Sequence, residues 1–205
     1  MDEKQIEIIS KASDIFMKYG IKSVTMDDLA RELSISKKTI YKYFEDKKEL
    51  VRSIVATKIE LDKASCNIII NQCENAIDEL IQISKSIKEN FGNIHSSVFF
   101  DLQKYHQDAW RMMQQHKQEF VHQQIMDNMN RGMGEGLYRS NIKTDVIAFV
   151  YVNTIDTIFE KISSSNLDHA VSEIFVEIIR FLIRGIASET GLEYLKSRIK
   201  LEENE

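Results

Sequence analysis

The stretch Val24–Leu50, VTMDDLARELSISKKTIYKYFEDKKEL, permits few folds. It reads as two short helices joined by a tight turn, followed by the start of another helix. Thr25 caps the first short helix, with Asp27 and Asp28 in the first turn, where the positive end of the dipole favours acids. Leu29, Ala30 and Leu33 fall at helical spacing and face inward, and Ala30 is small where two helices cross closely. Ser34-Ile35-Ser36 breaks the pattern, and Ile35 is an apolar residue that can plug the corner. Ser36 then caps a second helix from Lys37 to about Phe44, whose inward residues are Ile40 and Phe44.

The outward face of that second helix carries Lys37, Lys38, Thr39, Tyr41, Lys42 and Tyr43. A helix of this size fits the DNA major groove, with its first residues at base edges and flanking lysines and hydroxyls on phosphates. A solvated, lysine-rich helix with two half-buried tyrosines has the same composition. Two helices of this length around this turn, with donors crowded on one short face, favour a helix-turn-helix.

From about Ile6 to Leu50 the sequence resembles the DNA-binding domain of the TetR family of bacterial transcriptional regulators. The matching residues are Ala12, Phe16 and Gly20, then Thr25, Leu29, Ala30 and Leu33, then Ser36-Lys37, Thr39-Ile40-Tyr41, Tyr43-Phe44, Lys47 and Leu50. The resemblance implies that Lys37 and Tyr41 approach bases; Lys38, on the same outward face, is expected beside them. The resemblance implies that Thr25, Ser36, Thr39, Tyr43 and Lys47 hold phosphates, with Lys42 on the same face. The chain departs from the family at Lys38, where many members carry glycine; a long cation beside the bases suggests a G-containing contact.

The net charge is −5, which argues against a generally basic nucleic-acid binder. Distribution matters more: residues 37–58 hold seven basic and three acidic residues in an otherwise acidic chain. With no proline, seven glycines and no sustained period-2 runs, the chain reads as all-α, about nine helices in total. The expected domains are a three-helix DNA-binding domain over 1–46, a linking helix over 47–64, and a helical ligand-binding and dimerisation domain over 65–205. The N-terminus has no apolar run of signal-peptide length and no stretch approaches the ~18 apolar residues of a membrane span, so a cytoplasmic protein is expected.

Along the chain, a first helix ends near Tyr19, with Gly20 as its cap, and Asp46 caps a fourth helix that reaches about Ala64. Lys47 in the first turn of that helix runs against the dipole, which points to an external anion as its partner. A long aliphatic helix is expected over 66–90, ending at Asn90–Asn93. Cys66 and Cys73 lie seven apart, about 10.5 Å along a helix, too far for a disulfide, and read as buried free thiols. The last helices are expected over 145–163, capped by Thr144, and over 168–189, with a turn at Ser163–Asn166 and a charged, frayed helix at the tail.

Residues 94–133 mix aromatic, methionine and polar side chains. Phe99, Phe100, Tyr105, His106, Trp110, Met113, Phe120, Met126 and Met129 have the chemistry of a small-molecule pocket, although each alone reads first as core. The last two long helices are apolar on more than one face. Deep burial would explain this, and so would a dimer interface through Phe149, Val152, Ile155, Phe159, Phe175, Ile178 and Leu182. The interface is preferred, because a helix-turn-helix needs a two-fold partner to read two half-sites, and the resemblance implies the same.

The five histidines form no metal-ligand pair, and no nucleophile elbow or phosphate-binding glycine loop occurs, so no enzyme, metal or cofactor is expected. The expected protein is a homodimeric repressor on a double-stranded DNA operator. An apolar or amphipathic ligand would release it by tilting the fourth helix and spoiling the half-site spacing. In the alternative, the C-terminal domain docks a protein partner.

Overall fold

The computed structural model describes residues 2–92, 94–95, 97–164 and 170–202; at Phe91, 159–160, 162–164 and 199–202 it describes backbone alone. Among these residues the fold is all-α: eleven α-helices, one π-helical turn and an isolated antiparallel bridge between Tyr138 and Ala187. Asn93, Asn166 and the Phe159 side chain, to which expectations were attached, lie outside the described residues. No helix among them is long and apolar enough to cross a membrane.

The chain forms two compact units. The first holds residues 1–63, 93–116 and 156–168, and the second the remainder. In the first, α1 (Glu3–Tyr19) starts at Asp2, whose carboxylate accepts from the Gln5 N–H at 2.8 Å. It buries Ile8, Ile9, Ala12 and Phe16 along one stripe. Gly20 ends it at φ 83°, a left-handed conformation that glycine adopts without strain. Next come α2 (Met26–Glu32), α3 (Lys37–Tyr43) and α4 (Lys47–Gln72). Glu49 N–H donates to Asp46 at 2.8 Å, the expected cap of α4. Helices α6 (Ser97–Tyr105) and α7 (Gln107–His116) also belong here. Their Val98, Leu102 and Ala109 close the core formed by Leu29, Ile40, Phe44, Leu50, Val51 and Ile54. Residues 94–116, expected with the C-terminal domain, thus pack with the helix-turn-helix.

The second unit contains α5 (Ala76–Phe91), the π-helical turn Lys117–Val121, α8 (His122–Gly134), α10 (Val171–Ile186) and α11 (Glu189–Glu202). Helix α9 (Thr144–Ser164) supplies residues to both units, as α4 does. Helix α10 packs along α5, and Ile77, Leu80, Ile125, Met129, Ile179, Ile183 and Ile186 make the core. The single helix expected over 66–90 is two helices. Helix α4 continues to Gln72, and Asn75 restarts the chain by accepting the N–H groups of Ile77 and Asp78, both at 3.0 Å. Cys66 and Cys73 are thiols, half-buried rather than buried.

Polar groups hold that break. Glu135 accepts the Ala76 N–H at 2.9 Å. The Ala76 carbonyl accepts from Asn128 at 3.0 Å and from the Tyr138 hydroxyl at 3.1 Å. Arg131 reaches Glu135, Glu79 and the Cys73 carbonyl at 2.7, 3.2 and 2.9 Å. Asp78 accepts from Tyr194 at 2.6 Å and Arg198 at 2.8 Å. The polar groups at this buried helix start are therefore paired within the unit.

Candidate nucleic-acid interface

Local chemistry builds the α2–turn–α3 geometry. Thr25 and Asp28 form a reciprocal capping box: Asp28 N–H donates to Thr25 Oγ1 at 3.1 Å, and Thr25 N–H to Asp28 Oδ2 at 2.9 Å. The Thr25 hydroxyl, and after it the Thr25 N–H, donate to the Asp28 carboxylate and hold it below its ordinary pKa. After α2, Ser34 turns left-handed at φ 53°. Ser34 N–H then meets the Arg31 carbonyl at 3.1 Å and Ile35 N–H the Ala30 carbonyl at 3.0 Å. This tight stop aims α3 across α2. Ser36 caps α3 by accepting the Thr39 N–H at 3.0 Å. Ile40 and Phe44 are essentially inaccessible, 0% and 1% exposed, and Tyr43 packs partly against the same core, so Lys37, Lys38, Tyr41 and Lys42 are left facing outward.

That outer face is the one read from the sequence. Lys37, Lys38, Tyr41 and Lys42 are exposed, and Thr39 and Tyr43 half-buried. Two lysines lie against tyrosine faces: Lys37 5.9 Å from the Tyr41 ring and Lys42 5.5 Å from the Tyr43 ring. Lys37 also pairs with Asp27 at 2.8 Å, which holds its ammonium above the ordinary lysine pKa. Both partners are more than half exposed, so reaching a base costs little.

Three expected phosphate ligands are already engaged. The Thr25 hydroxyl donates to Asp28 at 2.6 Å, and the Ser36 and Thr39 hydroxyls pair at 2.8 Å. Hydroxyl hydrogens rotate, so these groups can still turn to an anion. Lys47 is different. Its ammonium donates to the main-chain carbonyls of Ile21 and Val24, both at 2.5 Å, and partial burial lowers its pKa. The ammonium expected to meet an external anion is spent inside the protein.

The nine expected ligand residues divide between the two units. Phe99, Phe100, Tyr105, His106, Trp110 and Met113 belong to the first unit; Phe120, Met126 and Met129 belong to the second. Phe99 and Met129 are buried, Trp110 and Met113 pack against the first core, and Met126 packs against the second. Phe120 is half-buried. The Tyr105 hydroxyl accepts from Lys22 Nζ at 3.0 Å, which holds its pKa down. His106 is buried between α6 and α7, and burial, reinforced by Lys47, lowers its pKa below 6.5. The stability that goes with a neutral His106 is thus present above pH 6.5 and is lost as pH falls through 6.5 to the lower folded value. Replacing His106 with Gln should flatten the loss of melting temperature between about pH 7 and 5; an unchanged profile would contradict this assignment.

Of the expected interface residues, Val152, Ile155 and Phe175 are buried inside the chain at 0%, 8% and 5% exposure. Phe149 is 63% exposed, and Ile178 and Leu182 are half-buried along an open apolar groove of about 600 Å³ between α9 and α10. The structure adds Val146, Val150 and Phe181 to that outer face, all exposed. Their signal was the second apolar stripe on each helix, but periodicity does not say which of two stripes faces out. No group of three potential metal ligands occurs among the described residues.

Residues 8–54 match the family model for bacterial regulatory proteins of the tetR family. A relative from Bacillus subtilis, the uncharacterized HTH-type transcriptional regulator YvaF, is 26% identical, covering 82% of this chain and 87% of its own. The HTH-type transcriptional repressor KstR2 of Mycobacterium tuberculosis is 20% identical, covering 72% of this chain and 75% of its own. A TetR-family regulator from Agrobacterium tumefaciens superposes with a TM-score of 0.71 at 14% identity, over 90% of this chain and 98% of that one.

Proposed function

We propose that this chain, a DNA-binding helix-turn-helix transcriptional regulator of the TetR family and not an enzyme, works as a homodimeric repressor. It reads a palindromic operator with α3 and leaves it when a small apolar or amphipathic ligand enters the C-terminal helices. The carrying observation is the exposed donor face of α3, opposite the fully buried Ile40 and Phe44.

The DNA contacts follow from that face. Lys37, Lys38 and Tyr41 lie on the N-terminal part and centre of α3 and approach base edges. Ser36, Thr39, Lys42, Tyr43 and Thr25 flank them and take phosphates, which set register without reading sequence. Two half-sites need two copies of α3. The exposed side chains of Val146, Phe149, Val150 and Phe181 supply an apolar surface for a second subunit. A relative named as a repressor supports the sign of regulation. For the ligand, Phe120 and Met126 remain half-buried in the second unit, whose core also leaves Ile83, Ile87 and Val121 partly covered. Such apolar, adaptable walls suit an apolar or amphipathic molecule. A ligand there acts on DNA through α4, which runs unbroken from Lys47 to Gln72.

The test is a salt series with duplexes from the intergenic DNA upstream of the chain's own gene. Tight binding to one palindromic site, weakening steeply with salt, is expected. Binding no tighter than to random DNA would count against a local operator. Lys38→Gly should cost the selected duplex about 1–3 kcal/mol while leaving random duplexes nearly unchanged. Equal losses on both would reduce Lys38 to a phosphate contact.

A further inference from the structure

The connection Gly20–Val24 leads directly into Thr25, the cap of α2, and so sets how the helix-turn-helix is mounted on α1. It is held from two sides. On one side α6 supplies Asp101, a carboxylate only 3% exposed, whose Oδ2 accepts the Lys22 main-chain N–H at 2.7 Å. On the other side α4 supplies Lys47, whose ammonium donates to the carbonyls of Ile21 and Val24 and lies 5.5 Å from the Phe16 ring centroid. Asp101 and Asp28 both act electrostatically on that ammonium, favouring its charged form against the burial that opposes it. Lys22 adds a third tie, from its own ammonium to the Tyr105 hydroxyl at the end of α6.

We propose that Lys47 is a positioning residue rather than a phosphate ligand, and that Lys47 and Asp101 together clamp the α1–α2 connection so that α3 is presented correctly. An ammonium has three donors, and two here are committed to the Ile21 and Val24 carbonyls. Pulling Lys47 out to a phosphate would break both bonds and take from the buried Asp101 one of its two cationic neighbours, leaving Lys22. The clamp also makes DNA reading depend on α6. A shift of Asp101 pulls on the Lys22 N–H, one residue from the Ile21 carbonyl that Lys47 holds. The inference rests on the regulator reading and adds to it a route by which α6 governs the reading head.

The two roles differ in salt dependence. A phosphate contact contributes about one released counterion per subunit, so its removal from both halves of a dimer flattens the plot of log affinity against log salt by about 1.8. A positioning residue lowers affinity at every salt without changing the slope. The experiment uses the full chain and a duplex of about 30 base pairs that it selects from a random library, long enough for two half-sites. Affinity is measured by fluorescence anisotropy over a salt series. Far-ultraviolet circular dichroism at the same temperature shows that each variant is folded, so a purely structural role would move the melting temperature alone.

Lys47→Met should lose about tenfold in affinity with an unchanged slope, and Lys47→Arg, which can still bridge two carbonyls, should recover most of it. Lys42→Ala, which removes a charge on the exposed face of α3 from each of two subunits, should flatten the slope by roughly two units. Asp101→Asn is the independent arm, because it does not depend on Lys47→Met folding. Removing an acidic charge should strengthen DNA binding if charge alone counts; the clamp requires it to weaken binding several-fold. A flattened slope for Lys47→Met, or an Asp101→Asn variant that binds as tightly as the parent or tighter, would overturn the proposal. Selection that enriches no duplex would overturn the regulator reading itself, and the clamp with it.

Discussion

A protein carrying Phe149→Glu and Phe181→Glu should sediment as a monomer and lose operator affinity by about a thousandfold or more. These phenylalanines are 63% and 80% exposed, beside an open groove lined by Ile147, Tyr151, Ile178 and Leu182. A buried phenylalanine removes roughly 150–250 Å² from water, and a two-fold interface counts each substitution twice. A glutamate there must be desolvated without a partner, at a cost of several kcal/mol per ion. Substitutions of exposed residues usually change monomer stability by less than about 0.5 kcal/mol, so the variant should still fold. A lone subunit keeps its phosphate contacts and one half-site. It therefore falls towards non-specific affinity, which lies roughly 10³–10⁷ below specific binding. Leu61→Glu, at another exposed apolar residue on α4, should leave the dimer intact. A double variant that stayed dimeric in sedimentation velocity would show that another surface pairs the subunits.

The second large effect concerns stability. Arg131→Met should destabilise the second unit by about 3–5 kcal/mol in urea unfolding, because it strands a buried carboxylate. Glu79 is only 3% exposed, and burial already pushes its pKa up. Without Arg131 it keeps Asn128 but loses its cation, while the Cys73 carbonyl loses the donor that secures the end of α4. The Arg111–Asp108 pair is the contrast: its side chains are 77% and 74% exposed. Arg111→Met should cost about 0–1 kcal/mol. The double variant Arg131→Met/Glu79→Leu should regain much of the loss, since apolar groups can replace a buried pair. If Arg131→Met were as mild as Arg111→Met, the clamp at the start of α5 would not be a stabilising element.

The parts of the interface that were legible in advance are local. Thr25, Ser36 and Asp46 cap helices through bonds to residues three positions on. Ile40 and Phe44 point inward because helical spacing puts them on the same face as each other. The face of α3 follows by subtraction. Helix boundaries were less legible. The aliphatic run after Cys66 has no proline or glycine to mark a break, so Asn75 passed as one polar residue within a longer helix. It could have been noticed as a capping residue three positions before Asp78.

The α2–turn–α3 geometry and the donor face of α3 were therefore determined by the sequence itself, because helix caps, the left-handed turn and 3.6-residue periodicity act over about four residues. The tertiary structure alone decided where Lys47 points, since its partners lie 26 and 23 residues away. It decided that α6 grips the α1–α2 connection, through a bond spanning 79 residues, and that Arg131 holds Glu79 across 52. It also decided which apolar stripe of α9 and α10 stays exposed and which of the aromatic and methionine side chains serve as core. Composition offers the same cations, carboxylates and apolar stripes to many partners; only packing, by closing off most of them, selects the one each group meets.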